Sequence, residues 1–146
     1  MRRPHWPIDA KSTPMPTMNT KTRGRPVTVV EFLEARLAED ELTADAAIEG
    51  DPEWQVFYGY RDIKDGDGHY VVLADSRHPT AGQAAHIARH SPARALRHCA
   101  ASRALIAEFL RHDALGDIAS RDATGEALRQ LAAIHRDHPD FDPAWI

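Results

Sequence analysis

The segment AHIARHSPARALRHC, residues 85–99, divides the second half of the chain into two helices. Its apolar residues recur at helical spacing on both sides of a Ser-Pro step. Ser91 is a favourable N-cap, and Pro92 suits the first helical position because proline has no backbone N–H to donate. The segment therefore predicts a short helix over about residues 80–90 and then a helix of about five turns ending near His112.

Another long helix is predicted over residues 28–50. Thr28 and Glu31 have the spacing of a capping box, and Gly50 supplies a stop signal. Five apolar residues share one stripe of this helix at a period of about 3.6 residues: Val30, Leu33, Leu37, Ala44 and Ile48. The stripe predicts packing against the second long helix.

Residues 54–75 change to a period of two, which is typical of strands. Aromatic and apolar residues alternate along residues 54–60, and residues 70–74 are rich in β-branched side chains. Between them, Asp-Gly-Asp-Gly at residues 65–68 is strong turn chemistry. We predict a β-hairpin that packs on the helices, because an isolated hairpin is marginally stable in water.

The C-terminal part is predicted to hold a loop over residues 113–125, a last helix near residues 124–136 and a tail that docks through Phe141 and Trp145. The predicted fold class is α+β. It combines two long packed helices, a short helix, an antiparallel β-hairpin, and a C-terminal helix with a docked tail.

Charge divides the 146 residues into two regions. Residues 1–26 hold six Lys or Arg and one Asp, a balance of +5, so the net charge of −4 leaves −9 on residues 27–146. The first region also has five prolines and few aliphatic residues, which predicts a disordered basic arm followed by a single α+β domain. One cysteine and the absence of a long apolar run indicate a cytoplasmic protein with no membrane association.

Two histidines are the candidate metal ligands. His86 and His90 are four residues apart and share a helix face, but Ile87 stands where the H-E-x-x-H signature has its glutamate, and no third ligand has a telling spacing. The acidic turn at residues 65–68 fails the register of a calcium loop. We predict no cofactor, and the imidazoles are interpreted as the polar edge of a packed helix pair.

A DNA-binding hypothesis rests on arginines. The arm ends in four residues that resemble the core of an AT-hook, which lies in the minor groove of A·T-rich DNA: Arg23, Gly24, Arg25 and Pro26. Arg94 and Arg97 lie on the outward side of the second long helix, as in a helix-turn-helix protein, although the turn at residues 90–92 is short for that motif. A plain basic linker and a solvated helix face are the alternatives.

One charge falls on the apolar side of each long helix. Glu41 lies in the first stripe, and Arg103 lies among the apolar residues of the second. Because burying either charge alone is costly, we predict that they meet as a hydrogen-bonded ion pair.

Three segments carry a family resemblance: VEFLEARLAEDE at residues 30–41, AAHIARHSPARALR at 84–97 and HRDHPDFDPAW at 135–145. With them, residues 29–146 resemble an uncharacterised family of small proteins from actinobacteria and their phages. The resemblance implies no activity. We therefore hypothesise a non-enzymatic interaction module with an unknown protein partner; the alternatives are an accessory DNA-binding protein and a metal-dependent enzyme at His86 and His90.

Overall fold

The computed structural model describes residues 27–57 and 59–146, and the predicted basic arm at residues 1–26 lies outside them. The described elements follow this order: α1 (Val29–Ala46), β1 (Trp54–Val56), β2 (Ile63–Asp65), β3 (Tyr70–Val72), α2 (Ala81–Arg89), α3 (Pro92–Leu115) and α4 (Ile118–Ala132), with short 3₁₀ turns at Ala133–His135 and Pro143–Trp145. The predicted α+β class is confirmed. In the described ranges, no helix has the length and apolar character that crossing a bilayer would require.

Helices α1, α3 and α4 form a bundle around one apolar core. The buried residues at its centre are Phe32, Leu33, Leu37, Cys99, Ile106, Leu128 and Ala132. Helices α1 and α3 run antiparallel. Cys99 Sγ in α3 lies 3.8 Å from the Leu37 carbonyl oxygen in the middle of α1, and the Ala93 N–H at the start of α3 donates to the carbonyl of Pro52, which follows the end of α1.

The start of α1 confirms the predicted capping box. The Thr28 hydroxyl accepts a hydrogen bond from the Glu31 N–H at 3.2 Å, and the Glu31 carboxylate accepts one from the Thr28 N–H at 2.8 Å. The predicted end was wrong: α1 stops at Ala46 rather than near Gly50, so Ile48 lies beyond the helix.

The predicted loop at residues 113–125 is also wrong. Helix α3 continues to Leu115, Gly116 adopts the left-handed conformation at φ 68°, and the Asp117 side chain accepts the Ser120 N–H at 3.2 Å to begin α4. Gly and Asp here act as a helix C-cap and the next N-cap, which join two helices through two residues.

The predicted hairpin is a three-stranded antiparallel sheet in the order β1-β2-β3. The expected strand over residues 54–60 ends early, because the Phe57 N–H donates to the Asp62 carbonyl at 2.8 Å and closes a turn. Within this turn Gly59 and Arg61 have positive φ values of 88° and 58°. The second turn is the expected one, and the Gly68 N–H donates to the Asp65 carbonyl at 3.1 Å.

The sheet packs against α2, and this unit joins the bundle at the start of α3. Ile63 and Ala84 are fully buried where the sheet meets α2. The Ala93 N–H donates to the Pro52 carbonyl at 3.1 Å, which fixes the approach to β1 beside the first turn of α3. The molecule therefore has a junction between a helical bundle and a sheet-helix unit.

The C-terminal tail docks on α1 as predicted. The rings of Phe141 and Trp145 lie 6.0 Å and 5.0 Å from the ring of Phe32, measured between centroids. Both tail residues pack against the core of the bundle.

Candidate functional site

A groove of about 650 Å³ opens at the junction between the bundle and the sheet-helix unit. Its walls come from the C-terminal part of α1, from β1 and from the first turns of α3. The lining residues are Asp40, Thr43, Ala44, Ala47, Trp54, His90, Pro92, Arg94, Ala95, His98 and Ile134. A mainly apolar concavity of this size with a few polar groups is typical of a small-molecule site.

Charged side chains of both signs line this mainly apolar groove. Asp40 of α1 supplies a carboxylate and Arg94 of α3 supplies a guanidinium. The imidazoles of His90 and His98 also line it.

Arg94 differs from the other arginines of α3. Those three each contact a carboxylate: Arg97 with Glu53 at 2.5 Å, Arg103 with Glu34 at 3.1 Å, and Arg111 with Glu108 at 2.6 Å. Within residues 27–57 and 59–146, the Arg94 guanidinium has no hydrogen bond and no ion pair. Its positive charge is therefore available at the mouth of the groove.

The arginines proposed for DNA contact thus have different surroundings. Arg97 is held by Glu53, whereas Arg94 lines the groove. The AT-hook candidates Arg23, Gly24, Arg25 and Pro26 lie outside the described residues.

The structure brings the two misplaced charges together and adds a third. Arg103 Nη1 donates to the Glu41 carboxylate, and Arg103 Nε donates to Glu34 at 3.1 Å. These hydrogen bonds raise the pKa of Arg103. The side chains of Arg103 and Glu41 are 37% and 31% exposed, so this pair lies at the edge of the core rather than inside it.

His86 and His90 stand side by side on α2, with ring centroids 4.2 Å apart. His90 Nδ1 lies 2.9 Å from the His86 carbonyl oxygen, so that nitrogen is engaged with the backbone. Both side chains are exposed, and no third ligand-type side chain among the described residues joins them.

The three potential metal ligands that do lie together are Asp65, Asp67 and His69, whose ligand atoms are within 4.8 Å of one another. Asp65 is buried and accepts hydrogen bonds from the His69 N–H at 2.8 Å and from its ring at 3.1 Å. Burial acts to raise the pKa of Asp65, but these hydrogen bonds outweigh it and the pKa is lowered. Two of the three residues, Asp65 and His69, are therefore paired with each other across the turn.

The structure contains a buried arginine on α1 that was not predicted from the sequence. Arg36 is 7% exposed on the core side of α1, donates to Glu39 at 2.8 Å and contacts the ring of His138. Its guanidinium also lies 5.3 Å from the centroid of the Phe32 ring. The spacing of Phe32 and Arg36, one turn apart, was a weak signal that this helix face meets an aromatic and imidazole-bearing tail.

The Cys99 thiol and the Thr43 hydroxyl each contact a backbone carbonyl oxygen of α1. Burial raises the pKa of the Cys99 thiol, and the charges of Asp40 and Glu41 raise it further. The Thr43 hydroxyl donates to the Glu39 carbonyl at 2.9 Å. Neither group is arranged as an activated nucleophile.

No curated protein and no solved structure matches this chain. A family model does match it, over residues 27–146, which is nearly the range over which the sequence resembles an uncharacterised family. Because the match covers most of the chain, the protein belongs to the family of unknown function DUF6221.

Proposed function

We propose that this protein is a non-enzymatic binding module whose groove between α1 and α3 holds a small organic ligand with an apolar body. The single observation that carries the proposal is the groove of about 650 Å³ at the junction of the two structural units. Junctions of this kind are frequent sites for ligands.

The room in the groove comes from small residues on facing helices. Ala44 of α1 and Ala47, which directly follows α1, line it together with Ala95 of α3, and the half-buried Trp54 forms a further wall. Longer side chains at these positions would close the space. An indole beside alanines suits an apolar, flat or aliphatic ligand, because aromatic side chains contribute large contact areas.

The surroundings of the groove favour binding over catalysis. The Thr43 hydroxyl donates to the backbone of α1, and burial raises the pKa of the Cys99 thiol. Recognition of a ligand requires neither group to react.

The neutral fluorescent probe phenylnaphthylamine tests the proposal, since its emission rises in apolar surroundings. We expect saturable binding to the full chain and energy transfer from tryptophan, which Trp54→Phe should reduce. Ala47→Phe, at an exposed lining position, should weaken the probe's Kd by about tenfold, the equivalent of about 1.4 kcal/mol.

The matched control is Ala46→Phe, which adds the same ring at the neighbouring exposed position outside the groove. Circular dichroism should show both variants folded. Absence of saturable probe binding to the wild-type protein, or equal effects of the two substitutions, would contradict the proposal and leave a protein partner as the occupant to test.

A further inference from the structure

We infer that the ligand of this groove is an organic anion whose negatively charged group binds Arg94. The inference rests on the proposed function and adds the charge and the orientation of the ligand. It starts from Arg94, which lines the groove without a carboxylate partner among the described residues.

Among the arginines of α3, Arg94 is the one that lines the groove and has no carboxylate partner in the described part of the chain. Arg97, Arg103 and Arg111 are each neutralised by a carboxylate of this chain. Arg94 has no such partner within the described residues, although residues 27–146 carry a net charge of −9 by composition. An arginine left unpaired in an acidic domain, at the mouth of an apolar groove, is complementary to the charged group of a ligand.

A carboxylate of this chain already lies beside the start of α3. Ser91, the N-cap residue, makes no capping hydrogen bond to α3, and its hydroxyl is directed toward Glu53 at 3.5 Å. Glu53 is also paired with Arg97. The positive group available to an anion in the groove is therefore the Arg94 guanidinium rather than the helix N-terminus.

The carboxylate of the groove restricts the orientation of the ligand. Asp40 also lines the groove and would repel an anionic group. A ligand whose charged group contacts Arg94 and whose uncharged body covers the alanines and Trp54 avoids placing its charge against Asp40.

A pair of probes that differ only in charge tests the inference on the full chain. Anilinonaphthalene sulfonate carries an anionic sulfonate on the apolar skeleton of neutral phenylnaphthylamine. We expect Arg94→Gln to weaken the sulfonate's Kd by about fivefold, as suits a solvent-exposed charge pair, and to leave the neutral probe's Kd unchanged within about twofold.

Two further variants separate charge at the groove from charge in general. Arg111→Gln removes the same charge from the same helix outside the groove and should affect neither probe. Arg94→Lys keeps the positive charge and should bind the sulfonate more tightly than Arg94→Gln does. Raising the salt concentration should reduce the difference between the sulfonate's Kd for the wild type and its Kd for Arg94→Gln.

The possible results distinguish binding of an anion at Arg94 from binding of an apolar ligand in the groove. If neither probe binds the wild-type protein, the proposed function fails. A second result is that both probes bind the wild-type protein while Arg94→Gln changes the two Kd values equally or changes neither of them. In that case the groove remains a ligand site, but the inference that its ligand is an anion is wrong. A sulfonate that binds Arg111→Gln as weakly as Arg94→Gln also overturns it, since net charge alone would then explain the effect.

Discussion

At the scale of single residues, position on a helix face decides which charges can be tolerated. Arg103 lies at the border of the apolar side of α3, and two carboxylates two turns apart on α1, Glu34 and Glu41, both contact it. Periodicity pointed to Glu41 because that residue interrupts an apolar stripe. Glu34 could not be singled out in this way, since its half-exposed position looks like any solvated helical glutamate.

Charge reversal should show how this triad works. We expect Glu41→Arg to lower the Tm by several degrees, because it places a second guanidinium beside Arg103. Adding Arg103→Glu should recover only part of the loss, since the new carboxylate faces Glu34. Thermal unfolding followed by circular dichroism measures this, and a double variant whose Tm loss equals the sum of the two single losses would show that the residues do not interact.

The pKa of His135 predicts a pH dependence of stability. Burial lowers this pKa, with Asp40 opposing it and with Arg36, His138 and His98 adding to it. The unfolded chain therefore binds a proton at a higher pH than the folded chain does, so stability is complete above the unfolded pKa of about 6.5 and falls as the pH drops toward 5.

Thermal unfolding at pH 7, 6 and about 5 tests this sign. His135→Gln should reduce the fall in Tm across this range, which lies above the window in which most carboxyl groups titrate. His86→Gln removes an exposed imidazole from α2 and serves as the control. A wild-type Tm that rises on acidification to pH 5 would be incompatible with the lowered pKa.

At the scale of elements, the starts of α1 and α3 were predicted correctly, whereas the connection between α3 and α4 was not. Thr28 with Glu31 marked the start of α1 through a capping box, and Pro92 marked the start of α3 although the Ser91 side chain makes no capping hydrogen bond. Both signals depend on residues close in sequence. Gly116 and Asp117 were misread as loop residues, because the same two residue types begin turns, end helices and start helices. Only packing of α4 on α3 distinguishes these cases.

Gly125 tests the corrected boundary of α4. A Cβ atom at this buried position would lie 3.2 Å from Phe109 Cε2 of α3. Gly125→Val should therefore destabilise the protein by about 1–3 kcal/mol through displacement of the Phe109 ring. In a loop, as the sequence alone predicted, the same change would be harmless.

The control for that experiment is Ala123→Val, at an exposed position of the same helix. It introduces the same β-branched side chain and should cost no more than about 0.7 kcal/mol. Urea unfolding gives both free energies. Because valine is a better helix former than glycine, helix propensity alone would make Gly125→Val slightly stabilising. A Gly125→Val variant as stable as the wild type would therefore contradict a close contact with Phe109.

At the scale of the whole molecule, the sequence predicted the fold class but could not predict the groove. The walls come from α1, β1 and α3, which are separate segments of chain, and their residues carry no common periodic signal. In the sequence, Arg94 could not be distinguished from an ordinary solvated arginine. Its lack of a carboxylate partner depends on which arginines the fold places beside carboxylates. The division into a bundle and a sheet-helix unit likewise depends on long-range packing.

DNA binding by the arm is a prediction that concerns the whole molecule. Residues 1–26 carry a net charge of +5, which attracts DNA, and the rest of the chain carries −9, which repels it. If the Arg-Gly-Arg-Pro core reads the minor groove, Arg23→Ser with Arg25→Ser should weaken binding to an A·T-rich duplex by at least about tenfold in low salt. Arg2→Ser with Arg3→Ser removes the same charge from the same arm and is the matched control. Equal losses of affinity in the two double variants would indicate that nonspecific attraction to phosphates alone drives binding, with an affinity that falls steeply as salt is raised. If the wild-type chain shows no measurable binding at about 50 mM salt, the DNA hypothesis is wrong.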